Sequence, residues 1–599
     1  MENAAWNLES EYPSIHSDLF KQDWDFVTND ITEMTKEMES LRNEWGNPSP
    51  QALTKIKDIL KSRKKFDMLL GNLSSYLYFA SDIDLSNVEI TKKRAEAHTL
   101  WSRHSQIMMP LYLFIKKCDE AIIQEFLKDP ELENFDFLWQ EKRQQNIYSL
   151  SEKEEVLIEA LATDGFHAWS NLYRNLSGQM KAHLQYPDRT ETLGMAQASA
   201  LTRSPDALHR KVAWQAIQEA WTEHKVTAAA ILNSLAGQRL EINKKRSHTK
   251  ERHFLTEAML ANRMTPETLD ALIGACRSSV EKTRMAPKMM ARLLKKDVID
   301  PWDLLAPGPE KEDKSTCSFE EGVRLIAQAY GEVSPEMGDF VEMMYQKRWI
   351  EGRVLPNKAP GAYCGGFRKS KEPRVFMTYM GSNSDISTLA HELGHAYHSW
   401  VMRDMPEEKT HFTMGLAETA SIFGETVLRD TLIQKASTKE QKADVAWNEI
   451  QGAATFLLNI PARFDFEKEF YERRQSGILM ADEMMDLTDQ VWSRWYGRAI
   501  TQNDKMFWAT KLHFSMSRTS FYNFPYTFGY LFSLSIYARR NELGAEFMKT
   551  YVNILRDTGS MTPEALVQKH LGEDIREQKF WQKAIDHVVG QLKSFESLM

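Results

Sequence analysis

The sequence predicts a mainly α fold with one small β-sheet near its middle. Glycine and proline are scarce through the first 180 residues, and apolar residues recur at spacings of three and four, as at Leu53, Ile56 and Leu60. Long antiparallel helices joined by short polar connections bury such stripes. Turn signals such as Gly46-Asn47-Pro48 separate the helical periods.

Size and charge limit the classes of protein to consider. A chain of 599 residues exceeds one compact core, so we expect two regions, 1–200 and 201–599. Hydrophobic residues make up 42 % and charged residues 27 %, as in ordinary globular proteins. Acidic residues outnumber basic ones, 84 against 75, which argues against a general nucleic-acid partner.

The sequence also predicts a cytoplasmic protein that has no membrane partner. Its four cysteines are widely spaced and form no C-x-x-C pair, which favours a reducing compartment. Residues 1–19 lack the basic and apolar regions of a signal peptide. The longest apolar stretch, 108–115, is too short to span a bilayer. The oligomeric state is not predicted.

The strand-like residues lie in the middle of the chain. Proline and glycine concentrate in 356–366, and Arg374–Met380 is rich in β-branched and aromatic residues before Gly381. We therefore expect a small sheet over about 350–382. Asp385 is the expected N-cap of the helix that follows.

That helix carries the motif His391-Glu392-Leu-Gly-His395. Residues i and i+4 share one helix face, so both imidazoles can reach one zinc ion, and Glu392 is placed as a general base for an attacking water. Two ordinary surface histidines or a closed structural zinc site are the alternatives. A metzincin would continue with glycine and histidine, but the chain has His398 and Val401 at those positions.

A carboxylate from a second helix is the expected third zinc ligand. Glu418 is the single carboxylate in the first two turns of 415–425, and its neighbours are small or apolar. Glu425 lies two turns later on the same face and could orient a ligand histidine through the second ring nitrogen. The alternatives are a solvated residue at Glu418 and a surface salt bridge at Glu425.

Five segments together resemble the zinc oligopeptidases of thimet oligopeptidase and oligoendopeptidase F, most closely the oligoendopeptidase F branch. They are Gly361–Cys364, Tyr379–Gly381, Thr388–Ala396, Glu418–Glu425 and Phe521–Tyr530. The resemblance implies one zinc ion at the base of a deep groove, with residues 1–200 as one wall. It also implies short peptides as substrates, whose backbone pairs with an edge strand near Arg374–Met380.

The resemblance implies further site residues. Those expected to contact substrate are Gly361, Ala362, Tyr363, Tyr379, Met380 and Gly381. Tyr522, Tyr526 and Tyr530, spaced by four, are expected with His513 to bind substrate and stabilise the oxyanion. Pro525 stands where the family often has glutamine, and it predicts a helix start near Phe524 or Pro525. Core packing is the alternative for each tyrosine.

The expected activity is therefore that of a zinc metallopeptidase acting on internal bonds of short peptides. A carboxypeptidase or dipeptidyl carboxypeptidase on the same scaffold is one alternative, and it would need a cationic or amide-rich pocket for the substrate C-terminus. A non-catalytic peptide-binding protein with structural zinc is another, and it would need a fourth protein ligand.

Overall fold

The computed structural model of the chain describes residues 4–308 and 317–597. Helices form most of these ranges and the two sheets are small, so the prediction of a mainly α fold is confirmed. Within these ranges, no helix combines the length and the apolar character that crossing a membrane requires.

The first part of the chain is entirely helical. Its helices are α1 (Asp18–Ser40), α2 (Pro50–Ile83), α3 (Val88–Lys117), α4 (Glu120–Leu127), α5 (Asp136–Gln144), α6 (Glu152–Gly165) and α7 (His167–Gln179). The Ser49 side chain caps α2 by accepting from the Ala52 amide, and Pro50 stands at the first helical position, where no amide hydrogen is needed.

A β-hairpin follows α7, in a part of the chain where no strand was expected. Strands β1 (Lys181–Gln185) and β2 (Thr190–Gly194) are antiparallel, with Lys181 opposite Gly194. Ala182 and Leu184 on β1 are buried in a small apolar cluster of their own. The expectation that strands occur only in the middle of the chain is therefore wrong.

Helices resume after the hairpin. They are α8 (Met195–Leu201), α9 (Ala207–Glu223), α10 (Lys225–Arg246), α11 (Thr256–Ala261), α12 (Pro266–Ser278), α13 (Val280–Thr283), α14 (Met285–Leu293), α15 (Phe319–Val333) and α16 (Pro335–Gln346). The long segment between α14 and α15 contains residues 309–316, which lie outside the described residues.

The second sheet lies where the sequence predicted one. Its strands are β3 (Ile350–Glu351), β4 (Tyr363–Gly366) and β5 (Pro373–Phe376), in the order β3-β5-β4. β3 is parallel to β5, and β4 is antiparallel to it. The prediction that the strand near Arg374–Met380 is an edge strand is therefore wrong. β5 is the central strand, because it is paired on both sides, and β4 forms an edge.

Two helices after the sheet carry the zinc motif and its expected third ligand: α17 (Asn383–Val401) and α18 (Met414–Lys435). Ser382, not Asp385, is the N-cap of α17. The two residues form a reciprocal capping box, in which the Ser382 hydroxyl accepts from the Asp385 amide and the Asp385 carboxylate accepts from the Ser382 amide. The prediction that Asp385 is the cap is wrong by three residues.

The helices α17 and α18 cross at very close range. A methyl group at Gly394 of α17 would collide with the backbone of Ala420 and Ser421 on α18. Only glycine permits this approach, which brings the motif of α17 beside Glu418.

The remaining helices complete the second region. They are α19 (Lys439–Ala454), α20 (Ile460–Arg474), α21 (Ala481–Tyr496), α22 (Phe507–Thr510), α23 (Phe524–Tyr537), α24 (Arg540–Leu543), α25 (Phe547–Asp557), α26 (Pro563–Leu571) and α27 (Gln578–Glu596). Helix α23 begins at Phe524, as predicted. A π-helical turn, Thr455–Asn459, joins α19 to α20.

Two large apolar cores organise the molecule. The first joins side chains from Trp6 to Trp139 with Phe367 and Phe376 of the sheet segment, and the second extends from Tyr173 to Phe595. The sheet therefore joins the N-terminal helices to the region that carries α17 and α18. The domain boundary near residue 200 stays a prediction.

Candidate metal centre

Three donor atoms from α17 and α18 converge. Nε2 of His391 lies 3.2 Å from Nε2 of His395, and Oε2 of Glu418 lies 3.4 Å and 3.7 Å from these two nitrogens. Two ligands bound to one zinc ion at 2.0–2.1 Å with a tetrahedral angle stand about 3.3 Å apart. The spacing and the donor types of the three residues therefore fit a single zinc ion.

A second layer of contacts fixes the orientation of these ligands. Oε1 of Glu425 lies 2.5 Å from Nδ1 of His391, which directs Nε2 of the same ring towards the other donors. The Ser421 hydroxyl donates to Oε2 of Glu418 at 2.7 Å. Glu425 therefore contacts the first histidine of the motif directly, at the ring nitrogen that faces away from the other donors.

The charges at this centre favour a cation. Burial and the like charge of Glu418 raise the pKa of Glu392 to about 7, although His391 acts to lower it. Burial acts to lower the pKa of His391, but the hydrogen bond and the charge of Glu425 outweigh it and raise this pKa to about 9. Burial and the charge of His391 lower the pKa of His395 to about 4. A divalent ion would relieve the repulsion among the carboxylates.

Among the described residues, Glu392 is the carboxylate at this centre that has an unpartnered oxygen atom. Its side chain is 6 % exposed, and within the described ranges its Oε2 atom has no hydrogen-bond partner. Such an unpaired buried carboxylate oxygen is costly, because it has left water without a substitute donor. An attacking water or a protonated amine would supply that donor.

Two of the three predicted tyrosines lie together with the predicted histidine. The Tyr526 hydroxyl donates to the Tyr522 hydroxyl at 3.1 Å, and the Tyr522 ring stacks on the His513 ring with centroids 5.1 Å apart. Burial is the main cause of a raised pKa at Tyr526, and the charge of Glu418 adds to it. This tyrosine therefore lies within electrostatic reach of the donor set.

Tyr530 lies in a different environment from the other two tyrosines. Its hydroxyl donates to Oε1 of Glu449 at 2.8 Å, and its ring stacks on Phe456. The other carboxylate oxygen of Glu449 accepts from Arg429 at 2.5 Å. The structure thus does not bring Tyr530 into the pair formed by Tyr522 and Tyr526.

Helix α23 reaches the centre through a second close glycine contact. A Cβ atom at Gly529 would stand 2.7 Å from Cβ of Glu418. Because glycine has no side chain, α23 can pack directly against α18 at this point. A segment more than one hundred residues further along the chain thus lies beside Glu418.

The sheet places one predicted substrate segment beside α17. The Tyr363 hydroxyl donates to Oδ2 of Asp82 at 3.0 Å, which ties β4 to α2. The charge of Glu392 acts on the neighbouring Cys364 thiol, whose pKa is raised chiefly by burial. Edge strand β4 therefore lies close to the expected general base.

The other predicted substrate residues flank this sheet. Gly361 and Gly381 adopt φ angles of +99° and +91°, which favour glycine. Ala362 is half-buried, the Tyr379 hydroxyl donates to the backbone oxygen of Ser318 at 3.4 Å, and Met380 is 68 % exposed.

Comparison with known proteins identifies the family. The sequence matches peptidase family M3 over residues 200–586 and Oligopeptidase F over residues 115–181. The chain belongs to peptidase family M3. The resemblance drawn from the sequence is thus confirmed, and membership supports a metallopeptidase that cleaves peptides.

Relatives of this M3 chain match it over almost its whole length. An oligoendopeptidase F homolog of Lactococcus lactis subsp. lactis is 20 % identical over 100 % of this chain and 98 % of its own. The group B oligopeptidase PepB of Streptococcus agalactiae is 23 % identical, with 97 % of each chain covered. The crystal structure of oligoendopeptidase-F from Enterococcus faecium has a TM-score of 0.70 and 19 % identity, and it covers 96 % of this chain and 99 % of its own.

One residue next to the M3 site was not anticipated from the sequence. Nη1 of Arg463 lies 3.4 Å from Nδ1 of His513 and donates to Oδ1 of Asn523 at 2.9 Å. Burial and the charges of Arg463 and Lys511 lower the pKa of His513 to about 4, which keeps this ring neutral near pH 7. The sequence signal that could have identified Arg463 is its position as the single charged residue in the apolar run Ile460–Phe464.

Proposed function

We propose that this M3 peptidase is a zinc-dependent oligoendopeptidase that hydrolyses internal bonds of short peptides. One observation carries the proposal: three zinc-type donor atoms lie within 4.8 Å of one another beside Glu392, whose Oε2 atom is unpartnered among the described residues. His391, His395 and Glu418 would hold the ion. When bound, zinc supplies a water of lowered pKa and polarises the scissile carbonyl.

The proton transfers fall to Glu392. As a carboxylate it takes a proton from the attacking water, and as a carboxylic acid it delivers that proton to the nitrogen of the departing amine. Both tasks require a pKa near the working pH, and burial moves the pKa of Glu392 in that direction. Glu425 keeps the His391 ring in the orientation that the ligand set requires.

The oxyanion that forms on the peptide carbonyl needs donors aimed at it. The Tyr522 hydroxyl accepts from Tyr526 and has its own proton to offer, whereas Tyr526, which the charge of Glu418 reaches, would donate to the oxyanion by turning from Tyr522. Neutral His513 supports the Tyr522 ring by stacking. Donors of this kind contribute most where water is excluded. Because the Tyr530 hydroxyl is bound to Glu449, Tyr530 can reach the oxyanion only by changing partners.

A peptide strand would be held by the free side of β4. β4 pairs with β5 on one side only, so the backbone groups of its other side are available to an added strand. The segments around Gly361 and Gly381 would then contact substrate side chains. A structural zinc site is less consistent with the chain, because the described residues supply three donors rather than four.

The test combines metal analysis with product mapping. The purified protein should contain about one zinc per chain and should cut peptides whose two termini are blocked, at bonds inside the sequence. Glu392→Gln serves as the inactive variant, and Glu542→Gln, at an exposed residue on α24, is the matched control. Cutting only of peptides with a free C-terminus, close to that end, would indicate a carboxypeptidase instead. Zinc binding without any cleavage would indicate a peptide-binding protein.

A further inference from the structure

A large cavity opens beside the tyrosine and histidine cluster and takes no part in the proposed chemistry. Its volume is about 810 Å³, within the range of ligand sites, and it lies between α7 to α9 on one side and α20 to α22 on the other. Its wall contains Asn459 of the π-helical turn, a type of backbone irregularity that is frequent at functional sites.

The wall of this cavity carries an excess of positive charge. Four cationic side chains line it, whereas the lining contains one carboxylate, that of Asp504. These cations are Arg174, Arg203, Arg463 and Lys511. Trp214 donates to Oδ2 of Asp504 at 3.3 Å, and Oδ1 of Asp504 has no hydrogen-bond partner in the part of the chain that the structure describes.

Two of the cations lack the anionic partner that buried cations normally have. Arg463 donates to the amide oxygens of Asn459 and Asn523, at 2.8 Å and 2.9 Å, and within the described residues it forms no ion pair with a carboxylate. Lys511 forms no hydrogen bond within the described ranges, and its ammonium lies 5.1 Å from the centre of the Phe507 ring. The Arg463 guanidinium lies 4.9 Å from the same ring.

Burial lowers the pKa of both Lys511 and Arg463, and neighbouring cations lower that of Lys511 further. Burial is the main cause that lowers the pKa of Lys511; Asp504 opposes it, and the charges of Arg463 and Arg203 add to the lowering. Burial likewise lowers the pKa of Arg463 to about 10. Desolvated cations without a direct ion pair are costly, and a bound anion would reduce that cost.

The cavity is adjacent to the reaction site through Arg463. This side chain lines the cavity and lies 3.4 Å from Nδ1 of His513, which stacks on Tyr522. The charges of Glu418 and Arg463 both act on the Tyr526 hydroxyl, so this hydroxyl lies within electrostatic reach of the donor set and of the cavity wall. The cavity therefore adjoins the cluster of His513, Tyr522 and Tyr526.

We infer that this cavity is a subsite for a carboxylate of the peptide substrate, held by Lys511 and Arg463 and supported by Arg203. The inference rests on the proposed function, because it assigns a further part of the same substrate. The carboxylate comes from the free C-terminus of the peptide or from an acidic side chain near that end, and both sources present the same group to the cations.

The test uses three peptides of otherwise identical sequence, with no other acidic residue. One ends in a free carboxylate, one in an amide, and the third ends in an amide but carries glutamate in place of glutamine near that end. We expect kcat/KM to be about tenfold higher for a peptide with a carboxylate than for the neutral peptide, mainly through KM, because charge-assisted hydrogen bonds are lost without it. Preference for the first or for the third peptide identifies the source of the carboxylate.

Variants of the wall separate charge recognition from folding. Lys511→Gln should remove most of the preference for the carboxylate, whereas Lys505→Gln, at an exposed lysine paired with Asp489 in the same segment, should retain it. Arg203→Gln should reduce the preference as well. Because the Arg203 side chain is exposed, this variant should fold as the natural protein does, and circular dichroism checks that it does. Equal cleavage of all three peptides by the natural protein, or an equal loss for all three in Lys511→Gln, would overturn the inference.

A binding measurement keeps the two proposals separate. Calorimetric titration of the same peptides into the zinc-loaded Glu392→Gln variant should give about tenfold tighter binding of a carboxylate peptide. Carboxylate preference in binding without cleavage by the natural protein would refute the proposed function and support the subsite. Cleavage without any carboxylate preference in either measurement would refute the subsite and leave the proposed function standing.

Discussion

Nδ1 of His391 lies 2.5 Å from Oε1 of Glu425, so one carboxylate fixes which nitrogen of this ring faces the other donors. Glu425→Gln removes the charge and can present its amide nitrogen to the ring. We expect zinc affinity to fall about 10- to 100-fold, as for other partners of metal-bound histidines. Titration with a competing chelator measures the change. Glu542→Gln should bind zinc as the natural protein does, and unchanged affinity in Glu425→Gln would refute the role of Glu425.

Glu392→Gln should separate metal binding from turnover. The amide preserves the size of the side chain but cannot accept a proton, so kcat should fall about 10²- to 10⁴-fold while zinc content stays near one per chain. Metal analysis and peptide hydrolysis are measured on the same preparation. Full activity in this variant would exclude Glu392 as the base.

Glu418→Ala should remove the third ligand and with it most of the bound zinc. The two histidines remain, but a site with two protein ligands binds zinc far more weakly than one with three. Metal content after dialysis provides the measurement, and added zinc should raise the Tm of the natural protein more than that of the variant. Ala417, the preceding residue, offers a control: Ala417→Ser should keep its zinc. Undiminished zinc in Glu418→Ala would remove Glu418 from the ligand set.

Two tyrosine variants should differ in the parameter that they change. Tyr526→Phe removes a hydroxyl near the donor set, and we expect kcat to fall about 10²- to 10³-fold with a smaller effect on KM. Tyr530→Phe removes a donor from half-buried Glu449, so the larger expected effect is a loss of about 1–3 kcal/mol in the free energy of unfolding. Steady-state kinetics and denaturant unfolding of both variants test this difference. A larger loss of kcat in Tyr530→Phe than in Tyr526→Phe would restore the oxyanion role to Tyr530.

The raised pKa of Glu392 has a consequence for the stability of the metal-free protein. Because the folded protein holds the Glu392 proton up to about pH 7 and the unfolded chain releases it near pH 4.5, ionisation of this group opposes folding. Its contribution is most favourable below pH 4.5 and is lost as the pH rises to about 7, a change of about 3 kcal/mol. Denaturant unfolding of metal-free protein across this range should show the loss, and Glu392→Gln should lack it. Identical pH profiles for the two proteins would contradict the raised pKa.

The parts of the site that were predictable depend on spacing within one helix. His391 and His395 face the same side because they are one turn apart, and Glu418 stood out as a lone carboxylate on an apolar helix face. Contacts between segments that are distant in the sequence were harder to predict. No pattern in the sequence shows that the Tyr530 hydroxyl meets Glu449, because that pairing depends on how α19 packs against α23.

The errors in the fold have similar causes. Strand β1 alternates between exposed and buried residues over only five positions, β2 contains no fully buried residue, and the helical periods on both sides obscure so short a signal. Asp385 and Ser382 both suit a helix start, and the backbone geometry, not the residue type, decides between them. The position of β5 within the sheet depends on pairing with β3, a two-residue strand with no pattern of its own.

The close approach of Gly394 to the backbone of Ala420 and Ser421 sets the separation of α17 and α18. Because main-chain atoms define this separation, the proposed ligand cage of His391, His395 and Glu418 exists only while the two helices stay docked. Adding one methyl group at position 394 would force the helices apart and dismantle the cage while leaving every ligand in the sequence. The proposed zinc site therefore depends on the absence of a Cβ atom at position 394.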